Sequence, residues 1–582
     1  MNAFLGVENS ASGRRWVGPD LEQNRQAEAL AQATELPHAL CQILAKRGVD
    51  AANASSFLSP SLKELMPDPS ILKDMDKAAE RFLNAVEKKE KIAVFADYDV
   101  DGGTSAALLI AWLRAFGQTP TLYVPDRIDE GYGPNAPAMS ALAKDHDLIV
   151  CVDCGTLSFE PIAAAAAADV IVLDHHQGGE TLPDALAVVN PNRQDEASEL
   201  DYLCAAGVVF LMLVAVNRLM RARGKKGPDL LAFLDLVALA TVADVAPLKE
   251  LNRALVRQGL KVLAGRQRVG LTALSDVARL DSTPTSYHLG FLLGPRVNAG
   301  GRIGKADLGA RLLSTDDPHE AAALAERLDH LNTERREIEE HVRLQAMAQA
   351  EARGLDGPLV WAAADGWHPG VVGIVAARLK EATNRPAVVI GFDGDDGKGS
   401  GRSISGVDLG AAIARLTSEG LLTKGGGHKM AAGLSVEKAQ LEPAMARLGE
   451  LLAAQGSDLA GPGDLKLDGI LQPTAITVDL IEQLEQAGPF GAGAPAPRFA
   501  LPSVRVAFAK RAGENHLRLT FQSAGGGKID AIAFRAFDGP LGGLLEQHDG
   551  RIFHVAGRLE IDTWGGRKKP KLRLEDAFTV SA

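Results

Sequence analysis

Four apolar runs of this chain end on acids or histidines, and that repeated ending restricts the fold more than any other feature. "KIAVFADYDVDGGTSAALL" (91–109) runs into Asp97, Asp99 and Asp101, and "LIVCVDCGT" (148–156) into Asp153. "IVLDHH" (171–176) ends on Asp174, His175 and His176, and "LVALATVADVAPL" (236–248) carries Asp244. Short apolar runs bounded by turn signals read as buried strands. Such runs at 91–97, 121–124, 148–153, 169–174 and 186–190 alternate with Ala/Leu-rich helical stretches such as 104–116 and 157–168. That is the pattern of βαβ units around a mostly parallel sheet. Parallel strands bring their carboxyl ends to one edge, where ligands gather in open α/β folds. A His pair after a strand is also what a turn with one backbone-satisfied imidazole looks like. Several such endings along one chain make a metal site the simpler reading.

Asp97, Asp99 and Asp101 alternate, so a straight strand cannot aim all three one way. A turn starting near Asp99, eased by Gly102 and Gly103, lets several converge. With Asp153, Asp174, His175, His176 and Asp244 they offer enough oxygen and nitrogen for two divalent ions. Carboxylate plus imidazole without thiolate favours Mn²⁺ or Mg²⁺ over structural Zn²⁺. Two such ions about 4 Å apart activate water and stabilise the leaving oxygen of a phosphoester, so hydrolysis is the expected reaction. "GGGHKMAAG" (425–433) has the backbone freedom to turn N–H groups toward a phosphate, with His428 and Lys429 as donors. Glycine-rich turns are frequent, so this segment gains weight only opposite a metal site. Cys151 and Cys154 spell C-x-x-C, but no second pair completes a zinc ribbon. They read as small, partly buried residues of a strand end.

At 582 residues the chain should divide into roughly three or four domains. Residues 1–75 read as a helical lead-in without visible chemistry, and 76–265 as the α/β domain with a helical cap over 203–265. Residues 266–355 form a connecting segment and a long helix, in which Leu324, Leu328, Leu331, Ile338 and Val342 recur at helical spacing. Too polar to be buried, that helix should bridge two domains. A second α/β domain follows at 356–455, with the glycine-rich segments "GKGSGRSISG" and "KGGGHKMAAG". Residues 464–582 carry five alternating runs between Gly-rich turns, which suggests a small OB-type barrel, a common reader of nucleic acid. A net charge of −12 speaks against indiscriminate coating of nucleic acid. It leaves room for a local basic channel, with clusters at 296–305, 424–429 and 567–573. No secretory apolar segment opens the chain and no run of eighteen apolar residues occurs, so a cytoplasmic protein without a membrane partner is expected.

Together, "DYDVDGGTS", "VDCGT", "DHH" and "TVADVAPL" resemble the four phosphoesterase motifs of the DHH family, and "GGGHKMAAG" resembles its associated C-terminal domain. The order of "RIDEGYGPN", "VVNPNR", "GPRVNAGGRIGKAD", "WHPGVVGIVAARL", "GSGRSISG" and "PFGAGAPAPRF" is similar to that in the family's single-strand-specific exonucleases. The resemblance runs from about residue 60 to the C-terminus. It implies two α/β domains joined by a long helix, plus a C-terminal OB-type β-barrel. The implied activity is 5′ to 3′ hydrolysis of single-stranded DNA to 5′-mononucleotides, in repair and recombination, with two Mn²⁺ or Mg²⁺ ions. Asp99, Asp101, Asp153, His175 and Asp244 are then catalytic, and Asp97, Asp174 and His176 complete the metal ligands or stand beside them. Arg127, Arg296, Arg302, Ser400, Arg402, Gly426, Gly427 and His428 are implied to hold the DNA backbone or its terminal phosphate. One departure is visible: smaller members place a His where Phe95 stands, and Asp97 is the expected substitute. Single-stranded DNA is the implied partner, a single-strand-binding protein and a helicase are further candidates, and a monomer is expected. Two other readings remain. A small-substrate phosphoesterase acting on short oligonucleotides, cyclic dinucleotides or pyrophosphate needs neither the barrel nor this length. A non-catalytic replication scaffold would have lost acids that are all present here.

Overall fold

The computed structural model describes residues 3–126, 130–457 and 463–580. The chain divides into two compact units: Met1–Ser61 with Leu459–Phe490 and Pro495–Ala582, and Leu62–Asp458 with Gly491–Ala494.

In the larger unit five parallel strands line up in the order Thr121–Tyr123, Ile92–Ala96, Leu148–Val152, Asp169–Leu173 and Ala187–Val189. Both faces are covered, which is why these strands read as unbroken apolar runs. The helices Met75–Lys88, Val100–Arg114 and Ala205–Ala222 contribute to the core on one face, and Ala136–Asp145 to the core on the other. Cys151 and Cys154, read from the sequence as partly buried, are fully buried in that second core. In register, Ala96 stands opposite Val152, Val152 opposite Leu173 and Leu173 opposite Val189. The strands therefore finish level, and the next residues, Asp97, Asp153, Asp174 and Asn190, follow one another along the carboxyl edge. The helical cap comprises Ala205–Ala222, Leu234–Ala243 and Glu250–Ala264. Ala205–Ala222 is long and apolar enough to cross a membrane, but every residue from Ala205 to Leu213 is buried in the core.

The long helix is Pro318–Arg353, 36 residues, with Asp317 as its cap. Its length is roughly 54 Å at 1.5 Å per residue. Ala321, Leu324, Ala325, Leu328 and Leu331 join the core of the first α/β domain, and Val342, Ala346 and Ala350 join the core of the second. The bridging role read from its charge pattern follows from this division. The second domain carries a mixed sheet in the order Lys424–His428, Ala431–Glu437, Asp396–Arg402, Ala387–Asp393 and Val360–Asp365. Both glycine-rich segments thus contribute strands.

The smaller unit contains the barrel. Its strands are Phe499–Ala512, His516–Ser523, Lys528–Ala533, Ile552–Asp562 and Lys569–Thr579, closed by pairing of the first with the fourth. Inward residues such as Leu517, Leu519 and Phe521 alternate with outward ones, the period-2 signal of the sequence. The residues up to Ser61 belong to this unit, although the chain runs from Ser61 straight into the larger unit at Leu62. Trp16–Val17 pairs with Leu465–Lys466, and the helices Leu21–Thr34 and His38–Lys46 share a core with Leu484, Ala487 and Phe499. Asp576, fully buried, accepts hydrogen bonds from Ser10 Oγ (2.6 Å), Ser12 Oγ (2.8 Å), Ser12 N (3.2 Å), Trp16 Nε1 (3.0 Å) and Ala577 N (2.9 Å). No local pattern announces a pairing between the two ends of a chain, so the sequence reads this segment only as a lead-in.

Candidate metal centre

Each strand of the edge ends by hydrogen-bonding its neighbour: Asp97 N to Val152 O (3.4 Å), Asp153 N to Leu173 O (2.9 Å) and Asp174 N to Val189 O (3.1 Å). Asp153 has φ +60°, a left-handed conformation uncommon outside glycine, so the chain leaves the extended alternation at this residue. The turn expected near Asp99 is present. Asp99 caps Val100–Arg114, its Oδ1 accepting from Asp101 N (2.8 Å) and Gly102 N (3.2 Å). Asp101, in the first turn of that helix, reaches the start of Ala205–Ala222 and accepts from Ala205 N (2.7 Å) and Ala206 N (2.8 Å). A carboxylate is favoured there by the positive end of the helix dipole. Asp244 is the C-cap of Leu234–Ala243.

These elements converge on His175. Its Nε2 lies 3.3 Å from Asp153 Oδ1, 3.6 Å from Asp101 Oδ2 and 3.7 Å from Asp244 Oδ2. Candidate ligand atoms form three overlapping sets, Asp97/Asp99/Asp153, Asp101/His175/Asp244 and Asp153/His175/His176, with the atoms of each set within 4.8 Å of one another. Asp153 and His175 each belong to two sets, as groups shared by adjacent ions would. The electrostatics fit a cation. Burial, then the neighbouring carboxylates, pushes Asp153 well above the carboxylate range, and the same two causes push Asp244 up to about 8. Asp153 Oδ1 is buried and accepts no hydrogen bond. Crowded acids with an open buried oxygen are what a divalent ion relieves.

Asp174 is different. Counted from the sequence among the ligands, it has both oxygens engaged by the protein: Oδ2 by Thr156 N (3.0 Å) and Oγ1 (2.6 Å), Oδ1 by His175 N (2.7 Å), His176 N (3.2 Å) and His176 Nδ1 (2.8 Å). Burial opposes its ionisation, but these bonds, His176 first, hold it below the usual range. Burial likewise pulls His176 down, and Asp174 overrides it to about 9. Asp174 therefore orients His176, the carboxylate–imidazole support common behind metal ligands.

Sequence reasoning did not single out the residues that hold this loop. Asn190 Nδ2 donates to Thr156 Oγ1 and His176 O (2.8 Å each), Asn192 Nδ2 to His175 O (2.5 Å), and Tyr132 Oη to Asp153 O (2.9 Å). Asn190 and Asn192 lie in "VVNPNR" and Tyr132 in "RIDEGYGPN", which the sequence offers only as ordered motifs, and Asn190 also stands directly after an apolar strand. Phe95 is fully buried and stacks on Tyr123 with ring centroids 5.2 Å apart, so it offers no donor. Asp97 does stand in the cluster.

The expected phosphate contacts separate into groups. Arg402 Nη1 donates to Ser400 Oγ and Gly401 O, both 2.8 Å. His428 stands opposite Ala431, which stands opposite Arg402 on its other side, and Gly426 and Gly427 lie on the same edge strand as His428. Arg302 Nη1 donates to Gly370 O (3.0 Å), where His368 caps Pro369–Thr383. Arg296 is committed elsewhere, to Asp329 of the long helix (2.8 Å) and Leu292 O (2.7 Å). Arg127 lies outside the described residues.

Known proteins resemble this chain over nearly its whole length. Residues 91–241 match the DHH family N-terminal domain, 356–454 the DHHA1 domain and 467–576 the RecJ OB domain. The single-stranded-DNA-specific exonuclease RecJ of Escherichia coli is 36% identical over 567 residues, covering 94% of this chain and 96% of that protein. The protein of the same name from Bacillus subtilis is 32% identical over 577 residues, covering 97% and 71%. A crystal structure of RecJ in complex with Mn²⁺ from Thermus thermophilus matches with a TM-score of 0.81 at 30% identity, covering 97% of this chain and 80% of that one.

Proposed function

We propose, from the premise that this chain belongs to the RecJ family of DHH single-stranded-DNA-specific exonucleases, that it degrades single strands from the 5′ end to 5′-mononucleotides, in DNA repair and recombination. The observation that carries the chemistry is the convergence of acids and imidazoles around Asp153. Asp97, Asp99 and Asp153 would hold one divalent ion, and Asp101, His175 and Asp244 a second, with His176 beside them. Bound Mn²⁺ or Mg²⁺ supplies Lewis acidity toward water and phosphate oxygens. The protein's own part is placement. Asp174 and Thr156 fix His176, Asn192 fixes the His175 backbone, and Asp99 shapes the turn that presents Asp101.

Direction must come from a site that holds one end. Arg402, with Ser400, offers a fork that can bond two oxygens of a terminal phosphate, and His428 lies in the same sheet. Arg302 stands at the start of Pro369–Thr383, whose N–H groups favour an anion. The barrel adds affinity for the strand without acids of its own clustered for chemistry. A cytoplasmic monomer that works beside a single-strand-binding protein and a helicase suits such a substrate.

The test is hydrolysis by the purified protein with Mn²⁺. Substrates are a 5′-labelled strand, a 3′-labelled strand, a blunt duplex and a dinucleotide. Immediate release of labelled mononucleotide from the 5′-labelled strand alone is expected. Rapid cleavage of the dinucleotide with little attack on long strands would instead mark a small-substrate phosphoesterase.

A further inference from the structure

The acid cluster and the Ser400/Arg402 site belong to different α/β domains, and one short helix, Gly294–Ile303, touches elements of both. On one side Asn298 Oδ1 accepts from Val100 N (3.0 Å), an N–H at the start of a helix that has no partner within it. Val100 lies between Asp99 and Asp101, so this bond holds the metal-binding turn from a segment about 200 residues away in sequence. One turn further on, a Cβ at Gly301 would lie 2.8 Å from Tyr98 O and 3.1 Å from Tyr98 Cβ. On the other side Arg302 donates to Gly370 O, and a Cβ at Gly370 would lie 2.3 Å from Arg302 O. Gly370 opens the helix Pro369–Thr383, and at Gly373, a turn later, a Cβ would lie 3.1 Å from both Arg402 Nη2 and Ser400 Oγ. The path from metal turn to phosphate site is therefore a chain of close contacts, two of them against backbone at Gly301 and Gly370 and the others through the side chains of Asn298, Arg302, Ser400 and Arg402.

We propose that the helix Gly294–Ile303 is a spacer that fixes how many nucleotides separate the held 5′ phosphate from the bond that is cut, with Gly370 as the positioning residue on the phosphate side and Asn298 as the anchor of the metal turn. This rests on the exonuclease reading given above. If one site grips the end and another cuts, the distance between them sets product length. A rigid path makes that distance a single value, and a displacement of about 1 Å is enough to disturb catalytic alignment.

Three variants test it, read by product length and by Mn²⁺ affinity from titration calorimetry. Gly370→Ala forces the helix Pro369–Thr383 away from Arg302 while Asn298 stays in place. Mn²⁺ affinity should stay within about twofold, and products should change from mononucleotides to a mixture containing dinucleotides and longer fragments. Asn298→Ala leaves Val100 N–H without its acceptor, and Mn²⁺ affinity should fall about fivefold with product length unchanged. Gly270→Ala creates a comparable clash with Leu312 O outside this path, and should lower stability while leaving the products mononucleotides. Gly301→Ala, which presses on Tyr98, replaces Gly370→Ala if that variant does not fold, with the same mixed products expected. Mononucleotides alone from Gly370→Ala, or from Gly301→Ala where it stands in, overturn the spacer. Failure of the wild type to release 5′-mononucleotides overturns the exonuclease reading instead.

Discussion

Two buried carboxylates, Asp153 at the sheet edge and Asp576 in the barrel, show what separates a site from a clasp. Both are almost fully enclosed, at 2% and 0% exposed. Asp576 accepts five hydrogen bonds from Ser10, Ser12, Trp16 and Ala577. Asp153 keeps a buried oxygen with no hydrogen bond, among other acids that raise the cost of its charge. A buried acid each of whose oxygens takes two or more hydrogen bonds from the protein stabilises the fold, whereas one left with an open oxygen among like charges is positioned for a cation. Asp174 completes the comparison: it lies within the cluster, yet its bonds make it a support.

The largest expected effect tests that contrast directly. Asp153→Asn removes a charge that the cations need, so hydrolysis should fall by at least about 10³-fold, roughly 4 kcal/mol on the barrier. Mn²⁺ affinity should fall with it. Metal-free stability should hold or rise, because one member of a crowded set has become neutral. Activity above about a tenth of wild type would break the comparison, since a tenfold loss is only about 1.4 kcal/mol. Asp576→Ala should do the reverse. It leaves the buried donors of Ser10 and Trp16 without an acceptor, at a cost of about 2–4 kcal/mol in denaturant unfolding, while Mn²⁺ affinity is unchanged.

What the sequence made legible is what is local. The acids of the sheet edge were visible, whether open or engaged, because an apolar run ending on Asp is a local pattern, repeated at Asp97, Asp153 and Asp174 on strands that finish level. The barrel was visible because alternation is local too. The distant partners were hidden. Asp576 finds Ser10 at the other end of the chain, Val100 N finds Asn298, and Arg296 finds Asp329, none of which leaves a mark on neighbouring residues. Arg296, implied by the resemblance as a DNA contact, makes an ion pair with Asp329 that appears only in three dimensions. "GKGSGRSISG" shows a different limit: its composition suggests a turn, but its first residues form a strand between two others, Asp396–Arg402.

The arginines extend the comparison to cations. Arg402→Ala should lower kcat/KM on 5′-phosphorylated strands by about 1.5–3 kcal/mol, the usual worth of a charge-assisted hydrogen bond, and should remove most of their advantage over 5′-hydroxyl strands. Lys should rescue poorly, keeping the charge but losing the fork. Arg296→Ala should change that ratio by less than about twofold, because its charge is already paired with Asp329. Equal losses on both substrates in Arg402→Ala would place Arg402 on an internal phosphate, and end sensing would pass to Arg302.

The smallest effect is a slope of stability against pH without metal. Burial first, and then Asp101 and Asp99, raises Asp244 to about 8 from an unfolded value near 4. The folded state then binds this proton more tightly than the unfolded chain. Its stabilising contribution is complete below about pH 4 and is lost as pH rises through about 8. Asp153 and Asp101, raised by burial first, act in the same direction. In chelator, the unfolding midpoint should therefore fall by a few degrees between pH 5.5 and 8.5, on the scale of about 2–4 °C per kcal/mol. Saturating Mn²⁺ should flatten or reverse that slope, since metal binding favours the deprotonated ligands that higher pH supplies. Asp153→Asn should make the metal-free slope shallower, and Asp576→Ala should lower the whole curve without changing its slope. A midpoint that climbs across this window in chelator would mean the acids are not crowded in the folded state, and the contrast between the open and the engaged carboxylate would lose its electrostatic basis.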